Sequence, residues 1–293
     1  MSVMHVIDGG LSSELERLGA HIEGELWTGQ TLLANPSLVE QAHRNFVNAG
    51  AEIVITSSYQ LSRRGFEEVG LTAADASVAL RTSVEVARNA VAGTSAKVAA
   101  SVGPYGAVLH DGSEYRGDYR VSQSELEDFH YERLIELLAA EPDLLAVETI
   151  PNVLEARALA QVLSEVTVPF WVSFTAGSPT QLWSGEPIEA AAAELVALKQ
   201  LFAVGVNCVD PAHVSGLVTA IHSITELPAV AYPNCGGVWD SEAGVWLGGS
   251  PKPLSDWLDD WRHTPIEWVG GCCGTTANDI RGLSDALATG HNS

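Results

Sequence analysis

Two rhythms of apolar residues alternate along the chain. Short runs rich in β-branched and aliphatic residues, each bounded by turn formers, recur eight times and predict buried β-strands. They are HVIDGG from residue 5, AEIVITSSY from 51, KVAASVGP from 97, DLLAVETIP from 143, PFWVSFTA from 169, FAVGVNCV from 202, PAVAYPN from 228 and IEWVGGCCG from 266. Between them the apolar positions shift to a spacing of three and four, which predicts amphipathic helices. SLVEQAHRNFVNAG (37–50) and AADASVALRTSVEVARNAVAG (73–93) each end on a glycine stop. SELEDFHYERLIELLAAE (124–141) carries acids in its first turn and halts before Pro142. VLEARALAQVLSEV, EAAAAELVALKQ, VSGLVTAIHSI and ANDIRGLSDALATG continue the alternation.

Eight strands alternating with helices predict an α/β fold, a (β/α)8 TIM barrel forming a single domain over residues 1–293. An open, doubly wound sheet is the alternative. No linker, low-complexity tract or repeat beyond the alternation itself interrupts the pattern. Two connections are long, 105–122 and 235–253, and long loops on one face of a barrel build pockets or lids.

The bulk properties narrow the function classes. The formal charge is -22, from 37 Asp and Glu against 15 Lys and Arg. A surface of that sign repels nucleic acid, so no nucleic-acid partner is expected. No run of apolar residues is long enough to span a bilayer, so no membrane partner is expected either. MSVMHVIDGG lacks the basic and apolar regions of a signal peptide. Four cysteines without a framework of regular spacings fit a reducing compartment and predict a cytoplasmic protein.

In a barrel of this kind the active site lies at the C-terminal ends of the strands. Those ends read DGG, TSSY, SVGP, ET, FTA, NC, YPN and GCCG. Cys208 closes the sixth strand, and the adjacent Cys272 and Cys273 close the eighth. Taken alone, the neighbouring pair has three readings: a strained vicinal disulfide, inert packing, or metal ligation. On a barrel, three of the four cysteines converge over one mouth. Three thiolates with one open position describe a catalytic zinc site, and soft sulfur favours Zn²⁺ over magnesium or calcium. Glycines around the pair let the backbone turn sharply there.

GVNC at 205–208 together with GGCCGT at 270–275 resembles the homocysteine S-methyltransferase family. So do DGGLSSEL at 8–15, SVGPYGAVLHDGSEYRGDY at 101–119, and the ETIP that follows DLLAV. The resemblance runs in order over essentially the whole chain. The 101–119 segment most resembles the branch that takes its methyl group from S-methylmethionine. The resemblance implies a zinc held by Cys208, Cys272 and Cys273. It implies acidic substrate contacts at Asp8 and Glu148, and a supporting role for Asn207 in the NC pair. One departure stands out: where the family pattern leads to expect an acid after YPN, this chain has YPNCGGVWD, with Gly237 in the acid's place and an extra cysteine, Cys235. Cys235 is either a bystander or an occupant of the open metal position.

The chemistry so implied is methyl transfer from a sulfonium to homocysteine, forming methionine. A thiol of pKa near 8.5 is mostly protonated at pH 7, and binding to Zn²⁺ makes it the nucleophilic thiolate. Three thiolates leave zinc a poor Lewis acid for water, which favours alkyl transfer over hydrolysis. A sulfonium brings its own leaving group, and no histidine stands at a strand end, so no proton shuttle is expected. His110, in the loop after the third strand, reads as a surface residue. Asp8 and Glu148 are expected to receive the α-ammonium of homocysteine, unless they merely cap helices or pair with an arginine. The amides around Gly9 and Gly10, at the start of LSSELERLG, are expected to meet its carboxylate. Thr56, Ser57 and Ser101 are candidate polar contacts around them. Trp239 and Trp246 either face the cationic donor or simply pack. The same barrel with S-adenosylmethionine, betaine or selenocysteine as a partner is an alternative; a folate donor is not expected, since no further domain is available for it. A non-catalytic zinc or thiol redox-sensing protein is the alternative from another class.

Overall fold

The computed structural model describes residues 4–22, 26–236, 238–240, 245–247 and 252–290, with backbone alone at 238–240 and 245–247. The eight predicted runs all form strands: β1 (His5–Val6), β2 (Ile53–Ile55), β3 (Lys97–Val102), β4 (Leu144–Ile150), β5 (Phe170–Phe174), β6 (Leu201–Asn207), β7 (Ala229–Tyr232) and β10 (Ile266–Val269). They lie in the order β1-β10-β7-β6-β5-β4-β3-β2, and each pair is parallel. The sheet then closes on itself. Ile7 bridges to Ile53 in parallel, the Glu52 N–H donates to Val6 O at 2.7 Å, and the Asp8 N–H donates to Ile53 O at 3.1 Å. Closure excludes the open doubly wound sheet and makes the fold a TIM barrel.

Alternation along each strand sorts the core into two shells. Ile7, Ile53, Ala99, Ala146, Trp171 and Tyr232 belong to the cluster that fills the barrel interior. Their strand neighbours Val6, Val54, Val98, Val147 and Val172 join the helices in the outer core. Two large rings occupy the interior, tied by a bond from Trp171 Nε1 to the Tyr232 hydroxyl at 3.0 Å. Alanines at 99, 146 and 203 make room for them. At Gly205 the strands approach so closely that a Cβ would stand 1.8 Å from Val230 O.

Most predicted helices form within a few residues of expectation. Capping boxes, Thr72 with Asp75 and Ser122 with Glu125, start the helices Ala73–Val91 and Gln123–Ala139. The helix expected over 189–200 is shorter, Ile188–Ala193. After it, three-residue bonds such as Leu195 N–H to Ala192 O tighten the coil and bring the buried Leu195 onto the core. The loop expected over 235–253 contains an antiparallel hairpin, β8 (Val238–Asp240) with β9 (Val245–Leu247). Short helices at Thr28–Ala34 and Arg63–Glu68 were not foreseen in the sequence pattern. Among the described residues no helix is long and apolar enough to cross a membrane.

Candidate active site and metal centre

Cys208, Cys272 and Cys273 meet at the C-terminal mouth of the barrel. Cys208 Sγ lies 3.1 Å from Cys272 Sγ and 3.5 Å from Cys273 Sγ, and the adjacent pair is 4.0 Å apart. A tetrahedral centre with metal–sulfur bonds of about 2.3 Å sets its sulfurs roughly 3.8 Å apart, so these spacings bracket a three-thiolate site. All four cysteines are free thiols, which leaves no disulfide between the neighbours. Among the described residues, this trio is the one cluster of metal-ligating type. Cys235 is not part of it: its Sγ faces Gly236 O at 3.4 Å, while its N–H supports Cys273 O at 3.0 Å.

The backbone explains how the trio assembles. Cys208 follows the last residue of β6 in a left-handed conformation, φ 54°, unusual for a residue with a Cβ. The Cys272 N–H donates to Pro233 O at 2.8 Å, and the Thr275 hydroxyl donates to Cys272 O at 2.6 Å. Gly10 lies so near that a Cβ there would be 2.4 Å from Cys272 O. The DGG run and the GGCCGT run therefore require each other's glycines. Protons are shared unevenly among the sulfurs. Hydrogen bonds from Cys272 and Cys273 hold Cys208 well below the usual thiol range, and the same bonds push those two thiols up.

Glu148 and Asp8 are two buried carboxyl groups beneath the mouth. Burial raises Glu148 to about 7, against hydrogen bonds from Ser101 and Tyr232 that favour its charged form. Burial also pushes Asp8 well above the carboxylate range; the Ile55 N–H, at 2.7 Å, opposes this and the charge of Glu148 reinforces it. Glu148 stands on an irregularity in β4, where the register with β5 shifts between Val147 and Ile150. Its neighbour Thr149 has φ 64°, a strained value for a β-branched residue. Asn207 holds that kink. Its Oδ1 accepts from the Thr149 N–H and the Ser173 hydroxyl, both at 2.8 Å, and its Nδ2 donates to Thr149 Oγ1 at 2.7 Å.

The remaining expected residues fall in two groups. Gly9, Gly10, Thr56, Ser57, Glu148, Asn207 and the three cysteines line one cavity of about 90 Å³, whereas Asp8 and Ser101 stand behind its wall. Thr56 Oγ1 meets Ser58 Oγ at 2.7 Å and accepts from the Ser101 N–H at 3.0 Å. Ser57 Oγ is buried on the cavity wall without a partner. The Gly10 N–H is engaged by Thr275 Oγ1 at 3.0 Å. Gly237 and the side chains of Trp239 and Trp246 lie outside the described residues.

Aromatic residues that the sequence pattern did not single out complete the cavity. Trp27 and Tyr59 meet edge to face at 6.2 Å on one side. On the other, the Tyr115 hydroxyl lies 3.3 Å from Cys208 Sγ. Burial, reinforced by the negative charge of Cys208, keeps Tyr115 protonated well above the usual phenol range, so the hydroxyl has a proton to donate to that sulfur. Tyr115 stood inside the quoted 101–119 segment, but nothing local marked it as the residue that reaches the sulfurs.

Comparisons with known proteins identify the family. The family model described as homocysteine S-methyltransferase matches residues 5–287. Homocysteine S-methyltransferase 1 of Arabidopsis thaliana is 41% identical, over 96% of this chain and 93% of that protein. Homocysteine S-methyltransferase of Escherichia coli (strain K12) is 39% identical, over 95% and 93%. The crystal structure of the homocysteine methyltransferase MmuM from Escherichia coli in its metallated form superposes with a TM-score of 0.86 at 37% identity, covering 97% of this chain and 96% of that one. The chain is thus an enzyme of the homocysteine S-methyltransferase family.

Proposed function

We propose that the enzyme moves a methyl group from a sulfonium donor, S-methylmethionine, to homocysteine, forming methionine, with Zn²⁺ held by Cys208, Cys272 and Cys273. The observation that carries this reading is the convergence of three thiols at the floor of a cavity, above two buried carboxyl groups. The donor set fits the metal: three thiols with sulfurs 3.1–4.0 Å apart line the cavity and would hold Zn²⁺ there. Zn²⁺ bound there supplies a Lewis acid that lowers the pKa of an incoming thiol, so that it reacts as the thiolate.

The chain's own residues supply orientation and electrostatics. Glu148, with Asp8 behind it, is the counterpart for the α-ammonium of homocysteine, because burial raises both carboxyl groups and an arriving cation would favour their charged forms. Ser57 Oγ, unpartnered on the wall, is the candidate hydrogen-bond donor to the substrate carboxylate. Trp27, Tyr59 and Tyr115 line the cavity, and aromatic rings there suit a sulfonium by cation–π attraction. In the transfer, the homocysteine sulfur attacks the methyl carbon, and the carbon–sulfur bond of the donor breaks toward the leaving sulfur, which becomes a neutral thioether. The thiol proton goes to solvent. Alignment of the three atoms is then the main demand on the protein. Working thiols of this kind fit a reducing, cytoplasmic setting.

The test combines metal analysis with a donor panel. Purified protein is expected to hold one Zn²⁺ per chain and to make methionine from homocysteine with S-methylmethionine faster than with S-adenosylmethionine or betaine. Alanine at Cys208, Cys272 or Cys273 should abolish both zinc retention and transfer, whereas Cys235→Ala should keep both. Full activity in a zinc-free Cys272→Ala protein would overturn the metal reading. Preference for another donor would overturn only the choice of S-methylmethionine.

A further inference from the structure

Tyr115 reaches Cys208 from a long excursion. Residues 105–121 leave β3, pass through two 3₁₀ turns (Tyr105–Leu109 and Ser113–Tyr115), and return to the helix Gln123–Ala139. A segment of this kind needs anchors if its middle is to hold one hydroxyl against one sulfur.

The anchors converge on the first turn of the helix Val153–Leu163. Glu155 is fully buried there. Its Oε1 accepts from the Tyr105 N–H at 2.6 Å and faces His130 Nε2 at 2.8 Å, while its Oε2 accepts from the Tyr119 hydroxyl. Tyr105 and Tyr119 are near the two ends of the excursion, so one carboxyl group holds both. Asn152 adds a third tie. It caps the helix by accepting from the Glu155 N–H at 2.7 Å, and its Nδ2 donates to Gly117 O at 3.0 Å. Gly117, at φ 65°, packs so closely that a Cβ would be 3.0 Å from Pro151 O. The Tyr105 and Tyr119 rings meet at 5.4 Å and close the span.

We propose that Glu155 is a positioning residue for methyl transfer: by tying Tyr105 and Tyr119 to one buried carboxyl group, it fixes the turn between them and keeps the Tyr115 hydroxyl on Cys208 Sγ. A residue placed only for packing would be apolar at this site, because a buried carboxyl group is costly unless its bonds are used. Burial raises Glu155 to about 8 and drives His130 well below its ordinary value, so a neutral acid faces a neutral imidazole and the hydrogen bonds, not an ion pair, carry the anchor. The functional half of the proposal rests on the reading of Cys208 as a metal ligand; the anchoring half does not.

Three variants test it in the intact, zinc-loaded enzyme: Glu155→Ala, Glu155→Gln and Tyr119→Phe. Loosening of the segment is read by amide hydrogen exchange over 105–121 and by tryptic cleavage after the exposed Arg116 and Arg120. Glu155→Ala is expected to raise both by about tenfold or more, with exchange elsewhere in the barrel unchanged. It should lower kcat by about tenfold while bound zinc and the KM for homocysteine stay within about twofold. Glu155→Gln keeps an acceptor for Tyr105 and a polar partner for Tyr119, and should restore both readouts. Tyr119→Phe should fall between, and it decides the matter if Glu155→Ala does not fold. Wild-type exchange and cleavage in Glu155→Ala and Tyr119→Phe would overturn the anchor. A loosened segment with unchanged kcat would overturn its role in transfer, as would a glutamine variant no better than alanine. If the unaltered enzyme holds no zinc, the proposed function fails, and the exchange and cleavage results still judge the anchor.

Discussion

Glu148 carries a specific electrostatic demand. Its carboxyl group is buried, raised to about 7, and bonded to Ser101, so a cation arriving in the cavity gains a partner that water does not satisfy. Glu148→Gln keeps the shape and removes the charge. A charge-assisted hydrogen bond contributes roughly 1.5–3 kcal/mol, so apparent homocysteine affinity should fall about ten- to a hundredfold at 1.4 kcal/mol per decade. Zinc, bound as proposed, should not change, because Glu148 is not one of the three clustered cysteines. An alkanethiol without an amino group should lose much less between the two proteins, and the four rate constants form a cycle that isolates the ammonium contact. Equal losses for both thiols would remove Glu148 from the substrate site. The meeting of Cys208, Cys272 and Cys273 was legible in the sequence because a parallel barrel sends every strand end to one face, whatever the loops do, whereas Glu148 was marked by the family resemblance. Tyr115, Trp27 and Tyr59 were not, because what places them at the cavity is the path of loops and short helices, which periodicity does not encode.

At the level of elements, β6 does two jobs within four residues. Gly205 lets β7 pass at backbone distance, and Asn207 pins the kink of β4 that presents Glu148. Gly205→Ala would set a methyl group 1.8 Å from Val230 O, a clash with backbone that no rotamer relieves. We expect it to destabilise the barrel by more than about 3 kcal/mol or to prevent folding, seen as loss of soluble protein or a sharply lower urea midpoint. Asn207→Ala should be milder for the fold and harsher for function, since Thr149 would lose the bonds that hold its strained φ. Its KM for homocysteine should rise while Zn²⁺ stays bound. GVNC was readable as a motif, yet the reason for its glycine and asparagine lay in β7 and β4, strands far away in the chain. The same holds for Glu155, an acid in a helical first turn whose partners lie in the 105–121 segment and the helix Gln123–Ala139. The shortened helix after Ile188 shows the reverse limit: its alanine run has high helix propensity, but the core contact of Leu195 takes the chain into tighter turns.

For the molecule as a whole, buried titratable groups pull stability in opposite directions with pH: the raised carboxyl groups of Asp8, Glu148 and Glu155 favour the folded state as pH falls, and His43 opposes them. His43 sits in the outer core with both ring nitrogens buried and without partners, and burial lowers it to about 4. The unfolded chain protonates this residue near 6.5, so as pH falls from 6.5 toward 4 the unfolded state takes up a proton that the folded state refuses. The contribution of His43 to stability is therefore full above 6.5 and declines through that window, by on the order of 3 kcal/mol. His43→Leu should flatten the difference between urea midpoints at pH 7.5 and pH 5. An unchanged pH slope in the variant would show that the acid sensitivity arises elsewhere.

The contact between Gly10 and Cys272 also bears on how the enzyme is made. Gly10 N–H and Thr275 Oγ1 are 265 residues apart in sequence, and Cys208 precedes its two partner sulfurs by 64 and 65. A ribosome delivers the chain from its N-terminal side, so for most of synthesis the first strand has no closing neighbour, and Cys208, once made, waits a further 64 residues for Cys272. The three-thiol cluster comes into being only when the last strand docks beside the first. On the proposed zinc reading, metal uptake would mark the end of folding, and a nascent chain stalled before residue 266 would lack two of the three sulfurs.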